Sequence, residues 1–113
     1  DRKQFGRPIA ANQGIQWMVA EMAAKIEAAR LLTRRAAVLC DRQERISLEA
    51  ALAKLTAAST AMEVTIAAIQ LHGGIGYTTH HPVERFMRDA KITEIYEGTS
   101  EVMKMVIAGS VLA

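Results

Sequence analysis

Glu97 stands between Tyr96 and Gly98 in the run Ile95-Tyr96-Glu97-Gly98-Thr99. A carboxylate beside a glycine, ahead of a residue able to cap a helix, has two readings. It can be a general base aimed by an irregular backbone. It can equally be an ordinary acidic residue stabilised by a helix N-terminus. A second glycine-rich run, Gln70-Leu71-His72-Gly73-Gly74-Ile75-Gly76-Tyr77, means that four of the seven glycines lie in this part of the chain. Free backbone N–H groups at such a cluster can cradle phosphate. Because the cluster follows a helix and does not open one, spacing alone favours a helix stop. His72, His80 and His81 do not make a metal site, since adjacent imidazoles chelate one ion poorly and no cysteine pair supports them. Cys40 is the single cysteine and has no obvious activating partner.

These residues must be held by helices. Half of the 113 residues are hydrophobic, alanine dominates that share, and there are one Trp, two Tyr and two Phe. Such a composition favours helix over sheet and an aliphatic core. Lys and Arg number 14 against 12 Asp and Glu, a net charge of +2, too weak a balance to argue for nucleic acid. No disulfide within the chain is possible, which fits a reducing compartment. The apolar runs are broken by charge short of the roughly 20 residues of a membrane span. The start at Asp1-Arg2-Lys3-Gln4 has no signal pattern and no initiator Met, so a piece of a longer chain is expected.

Gly6 and Pro8 keep residues 1–11 out of regular helix, as a basic strap with Phe5 as its anchor. From Asn12, an acceptable N-cap, to Cys40 the chain predicts a long helix of roughly 43 Å. Its stripe is Ile15, Met18, Met22, Ile26, Ala29, Leu32, Ala36 and Leu39. Glu21 and Lys25 are spaced to pair on its outer face. Trp17 lies off the stripe, as a second packing face or a contact with another chain. The charged turn Asp41–Arg45 leads to a second long helix, capped by Ser47 and ending near His72. Its stripe is Leu48, Leu52, Leu55, Met62, Ile66 and Ile69, kept slim by Ala51, Ala58 and Ala61. After a loop over 77–81, Pro82 opens a short helix carrying Val83, Phe86 and Met87 on one side. Residues 92–98 read as irregular or extended. Thr99 or Gly98 then caps a last helix to about Leu112, with Glu101 in its first turn and Val102, Met105, Val106 and Gly109 inward.

Four segments, taken together and in order, resemble the C-terminal α-helical domain of acyl-CoA dehydrogenases. They are Arg2-Lys3-Gln4-Phe5-Gly6-Arg7-Pro8-Ile9, Gln70 to Tyr77, Pro82-Val83-Glu84-Arg85-Phe86-Met87-Arg88-Asp89-Ala90-Lys91, and Ile95 to Glu101. The resemblance covers essentially the whole chain, residues 1–113. It implies an all-α, up-and-down helical bundle, incomplete because the first bundle helix and two earlier domains precede this segment in the family. It also implies an oxidoreductase activity: α,β-dehydrogenation of an acyl-CoA thioester to a trans-2-enoyl-CoA, with FAD as cofactor and electron-transfer flavoprotein as the acceptor.

Residue by residue, the resemblance makes Glu97 the catalytic base and places Tyr96 and Gly98 at the substrate. Thr99, Ser100 and Glu101 fall near the flavin of the same subunit, Glu101 standing where some members have Gln. Arg2, Lys3, Gln4, Phe5, Asn12 and Gln13 match positions that reach FAD bound mainly by a neighbouring subunit, Arg2 at the pyrophosphate. Gln70, Leu71, His72, Gly73 and Gly74 match a stretch along the adenosine and pyrophosphate. A homodimer or homotetramer follows, in the bacterial cytoplasm or the mitochondrial matrix. Two other readings remain open: an acyl-CoA oxidase-type flavoprotein, and a non-catalytic helical assembly module whose missing first helix leaves an apolar groove.

Overall fold

The computed structural model describes residues 2–113. Two short strands open the chain, β1 (Lys3–Gln4) and β2 (Arg7–Pro8), with Lys3 opposite Pro8 and Gln4 opposite Arg7. Their two-residue connection puts Phe5 at φ +52° and Gly6 at φ +78°. Two left-handed residues in succession match the twist of a tight hairpin. The turn throws the Phe5 ring outward, where it is 99% exposed. It therefore does not anchor the strap within this chain, contrary to the sequence expectation. A 3-10 turn over Ile9–Ala11 then leads into the first helix.

Helix α1 (Gln13–Asp41) and helix α2 (Ser47–His72) form the long pair of the bundle. The stripe expected on α1 faces inward, Ala29 and Ala36 being buried, with only Ile26 left marginally exposed. Trp17 is exposed. Asn12 is the N-cap of α1 as expected, but its carboxamide makes no cap bond: its Oδ1 accepts from Arg7 Nη2 at 3.1 Å. Ser47 is already inside α2, whose N-cap is Ile46: the Ala50 N–H donates to the Ile46 carbonyl at 2.8 Å. At the end of α1, Gln43 takes φ +59°, a left-handed stop that glycine usually occupies.

Helix α2 is the hub. The other long helix, the short helix α3 (Val83–Ile92) and the last helix α4 (Ser100–Leu112) all pack on it. Its buried positions are Ala51, Ala53, Ala58 and Thr60. Small side chains let three helices approach one axis, but each removes little apolar area from water. The larger aliphatics of its stripe are only half-buried and Ile66, expected inward, is 53% exposed; the molecule is a rod of 57 × 26 × 24 Å. The stretch Ser47–Tyr77 is long and apolar enough to cross a membrane by composition, against the sequence expectation, with a mean hydropathy of 1.3. In this fold it is the element on which the other helices pack. On α4, Val106 is half-buried as expected, but Met105 is 73% exposed and Val102 44%. The inward side is Met103, Val106 and Ile107, one position away from the expected register.

The glycine run does more than stop α2. Gly73–Tyr77 form a 3-10 turn folded against the helix end. Gly76 makes this possible: a Cβ there would lie 2.6 Å from His72 Cβ and 2.9 Å from the Ile69 carbonyl oxygen.

Candidate functional site

The residues singled out by sequence fall into two groups. The first surrounds the C-terminal end of α2. Arg2 crosses from the start of the chain, and its Nη1 donates to the His72 carbonyl at 3.1 Å. The guanidinium lies directly over Gly73, which takes φ +67°; a Cβ there would come within 2.5 Å of Arg2 Nη1. Gly74 is open on its Cα side, with nothing within 4 Å of an added Cβ. Arg2, Leu71 and His72 share a cavity of about 470 Å³ with Ile9, Ile15, Ile75 and His81. His72 Nδ1 faces the Ala68 carbonyl at 2.8 Å, so that nitrogen carries the proton. The His81 ring stands 5.4 Å from the His72 ring, centre to centre. Lys3, Gln4, Phe5, Gln13 and Gln70 lie on exposed surface, and Asn12 is held by Arg7. Sequence reasoning weighed His81 only as a metal ligand. Its place beside His72 depends on how the 3-10 turn folds back. Among the described residues, no three His, Cys, Asp or Glu side chains converge to hold a metal ion.

The second group is the turn between α3 and α4. The Ser100 N–H donates to the Glu94 carbonyl at 3.0 Å, closing the turn. Inside it, Glu97 takes φ +55° and Gly98 φ +96°. For a glutamate the left-handed region costs about 1–2 kcal/mol, so surrounding contacts must hold it there. Tyr96 and Glu97 line a cavity of about 430 Å³ with Lys54, Ala57, Ala58, Ala61 and Thr93. Its floor is the alanine face of α2. The Lys54 ammonium donates to the Gly98 carbonyl. The N–H groups of Glu97 and Gly98 have no partner among the described residues. Sequence reading missed Lys54, which lies on a different element from Glu97, and Thr93, which lies in the same turn but carries no motif.

Thr99, Ser100 and Glu101 line a neighbouring space of about 710 Å³, with Lys25, Glu63, Lys91, Glu94 and Lys104. Thr99 is the cap of α4, its hydroxyl accepting from the Val102 N–H at 3.3 Å. The Glu101 backbone N–H and then the Thr99 hydroxyl hold the Glu101 carboxyl below its ordinary pKa. On the same side Lys25 reaches across to Glu63 of α2, and not along its own helix to Glu21 as the spacing suggested. Hydrogen bonding from Lys25 and then from the Ser59 hydroxyl holds Glu63 below the usual carboxylate range. The same pairing raises Lys25.

The two groups are far apart. Lys54 and His72 are 18 positions apart on one helix, or roughly 27 Å at 1.5 Å per residue. The second group can shape an apolar pocket with an aimed carboxylate and two free backbone donors. The first offers a cation and an open backbone, the features of an anion cradle.

The C-terminal domain of acyl-CoA dehydrogenases, as a sequence family, matches residues 1–112. A short-chain-specific acyl-CoA dehydrogenase of Clostridium acetobutylicum is 57% identical over 111 residues, covering 98% of this chain and 29% of that protein. The structure of butyryl-CoA dehydrogenase from Megasphaera elsdenii superposes with a TM-score of 0.98 at 47% identity, covering 100% of this chain and 30% of that one. A chain in a structure described as the electron transferring flavoprotein of Acidaminococcus fermentans matches with a TM-score of 0.97 at 52% identity, covering 98% and 29%. The chain thus spans less than a third of the length of the relatives it matches.

Proposed function

The chain belongs to the acyl-CoA dehydrogenase family, as its C-terminal helical domain, and on that premise we propose that it serves an FAD-dependent dehydrogenation of a short-chain acyl-CoA, with Glu97 as base. The observation that carries this reading is the left-handed Glu97 at the edge of an apolar cavity. A glutamate kept in a costly conformation is one whose direction matters.

The residues divide the work as follows. A Glu97 carboxylate oxygen takes the proton from the carbon next to the thioester carbonyl. Negative charge then grows on the carbonyl oxygen, and the free N–H groups of Glu97 and Gly98 are backbone donors available to receive it. The alanine floor from α2 and Tyr96 present an apolar wall to a short acyl chain. The names of the relatives support the short-chain class.

The family is FAD-dependent, and the residues here fit such a group. Arg2 is a fork-shaped cation for a diphosphate, and the Gly73 backbone lies so close beneath it that a Cβ there would displace the guanidinium. Bound flavin supplies the hydride acceptor for the β-hydrogen. Arg2, Leu71, His72, Gly73 and Gly74 would hold its diphosphate side, and Thr99, Ser100 and Glu101 would face a second flavin. The separation of roughly 27 Å along α2 supports a homo-oligomer in which one chain serves two cofactor sites. An electron-transferring flavoprotein is the acceptor this reading favours, given the Acidaminococcus match. In the full-length protein, Glu97→Gln should keep its flavin and lose anaerobic flavin bleaching by butyryl-CoA. Bleaching at the unsubstituted rate would remove Glu97 as base.

A further inference from the structure

We propose that Lys54 is a positioning residue for Glu97, acting through the Gly98 carbonyl; this rests on the reading of Glu97 as base. Lysine is unexpected on the hub helix, between buried Ala53 and Ala58 and on a face shared with half-buried aliphatics. A partly buried ammonium needs a partner. Among the described residues it finds one acceptor, the Gly98 carbonyl, 44 positions away.

That acceptor belongs to the residue next to the reacting one. Glu97 and Gly98 are consecutive left-handed residues, a combination that readily relaxes if nothing holds it. The turn is closed at its ends by the Ser100-to-Glu94 bond and by Tyr96 N–H donating to the Ile92 carbonyl at 3.0 Å. Between those ties, Lys54 is the one side chain outside the turn that hydrogen-bonds into residues 95–98, among the described residues. By fixing the Gly98 carbonyl on the α2 side, it pins the Gly98–Thr99 peptide plane and so restrains the rotation about Gly98 that would carry Glu97 with it. Lys54 and Glu97 also line the same cavity. Loss of the ammonium would let the turn rotate and misdirect the carboxylate.

The test uses the full-length flavoprotein. Lys54→Met should retain flavin, melting temperature and affinity for a non-reactive acyl-CoA analogue, yet bleach with butyryl-CoA about ten- to a hundredfold more slowly, the effect expected of a small misplacement. Lys54→Arg, which keeps a cationic donor, should recover most of the rate. In a Glu97→Gln background, Lys54→Met should cause no further slowing. Bleaching of Lys54→Met at the unsubstituted rate overturns the proposal, as does equal slowing in both backgrounds. Loss of flavin or folding in both Lys54 variants would make the lysine a stability residue and also overturn it. If Glu97→Gln alone bleaches normally, the base reading has failed first and takes this inference with it.

Discussion

Arg2 donates from Nη1 to the carbonyl of His72 at 3.1 Å, tying the first residues of the chain to the end of the hub helix across 70 positions. The bond uses one edge of the guanidinium and leaves the other nitrogen positions for an anion. Arg2→Ala should therefore weaken FAD binding by both losses. Hydrogen bonds of a charged group contribute about 1.5–3 kcal/mol, so a rise of about tenfold or more in the flavin dissociation constant is expected. Arg2→Lys should fall between, keeping the charge without the fork. Fluorescence titration of the full-length apoprotein with FAD measures both. Unchanged affinity in Arg2→Ala would detach this end of the molecule from the cofactor.

The three glycines after α2 should respond differently to alanine. At Gly76 the new methyl would meet backbone, the Ile69 carbonyl oxygen at 2.9 Å, as well as His72 Cβ. Backbone cannot step aside, and overpacking of this kind costs about 1–3 kcal/mol. At Gly73 the obstacle is the mobile end of Arg2, but φ +67° adds strain of about 1 kcal/mol. At Gly74 there is open space and no left-handed backbone. Thermal melts of the full-length variants should rank Gly76→Ala lowest, then Gly73→Ala, with Gly74→Ala near the unsubstituted protein. Gly73→Ala should also release flavin more readily. A different order would mean that the turn is packed in another way.

The long helices were readable because alanine, leucine and methionine repeat at helical spacing, and Thr99 ahead of Glu101 marked the last helix by its capping chemistry. Glu97 and the glycine run were found as departures from that pattern, and local physics left each with two readings until the family resemblance was added. What escaped was long-range. Lys25 looked ready to pair with Glu21 one turn away, but the approach of α2 offered Glu63 instead. Asn12 and Ser47 have good capping side chains, yet Arg7 engages the first and the helix overruns the second. Lys54 carried no signal, because its partner is a backbone carbonyl whose position depends on three packed elements.

The Lys25–Glu63 pair should show a definite pH window. Glu63 is lowered in the folded protein from its ordinary value of 4.5, so its contribution is present above that value and is lost as pH falls through its lowered pKa. Lys25 is raised from 10.5, so its contribution is present below that value and is lost as pH rises through its raised pKa. Both side chains are about half exposed, 52% and 51%, so the effect should be small and screened by salt. Glu63→Gln should lower the melting temperature slightly near neutral pH. The difference should shrink at acidic pH and in about 1 M salt, where screening acts within roughly 3 Å. A difference that persists under both conditions would point to packing and not to charge.

Gln43 and Glu97 make a natural pair of controls, because both are non-glycine residues held left-handed, at φ +59° and +55°. Gln43 ends α1 and lines no cavity with Glu97. Glu97 is the reacting group of the proposed mechanism. Replacing either by glycine removes a steric cost of about 1–2 kcal/mol, offset in part by the greater freedom of glycine in the unfolded chain. Gln43→Gly should therefore leave stability equal or raise it by up to about 1 kcal/mol, with butyryl-CoA turnover untouched. Glu97→Gly should gain stability to a similar degree and lose turnover. Melting curves and flavin-bleaching rates on the two full-length variants decide it. If Glu97→Gly is clearly destabilised while Gln43→Gly is not, the carboxylate is holding the turn together, and its strained backbone would no longer argue for a catalytic role.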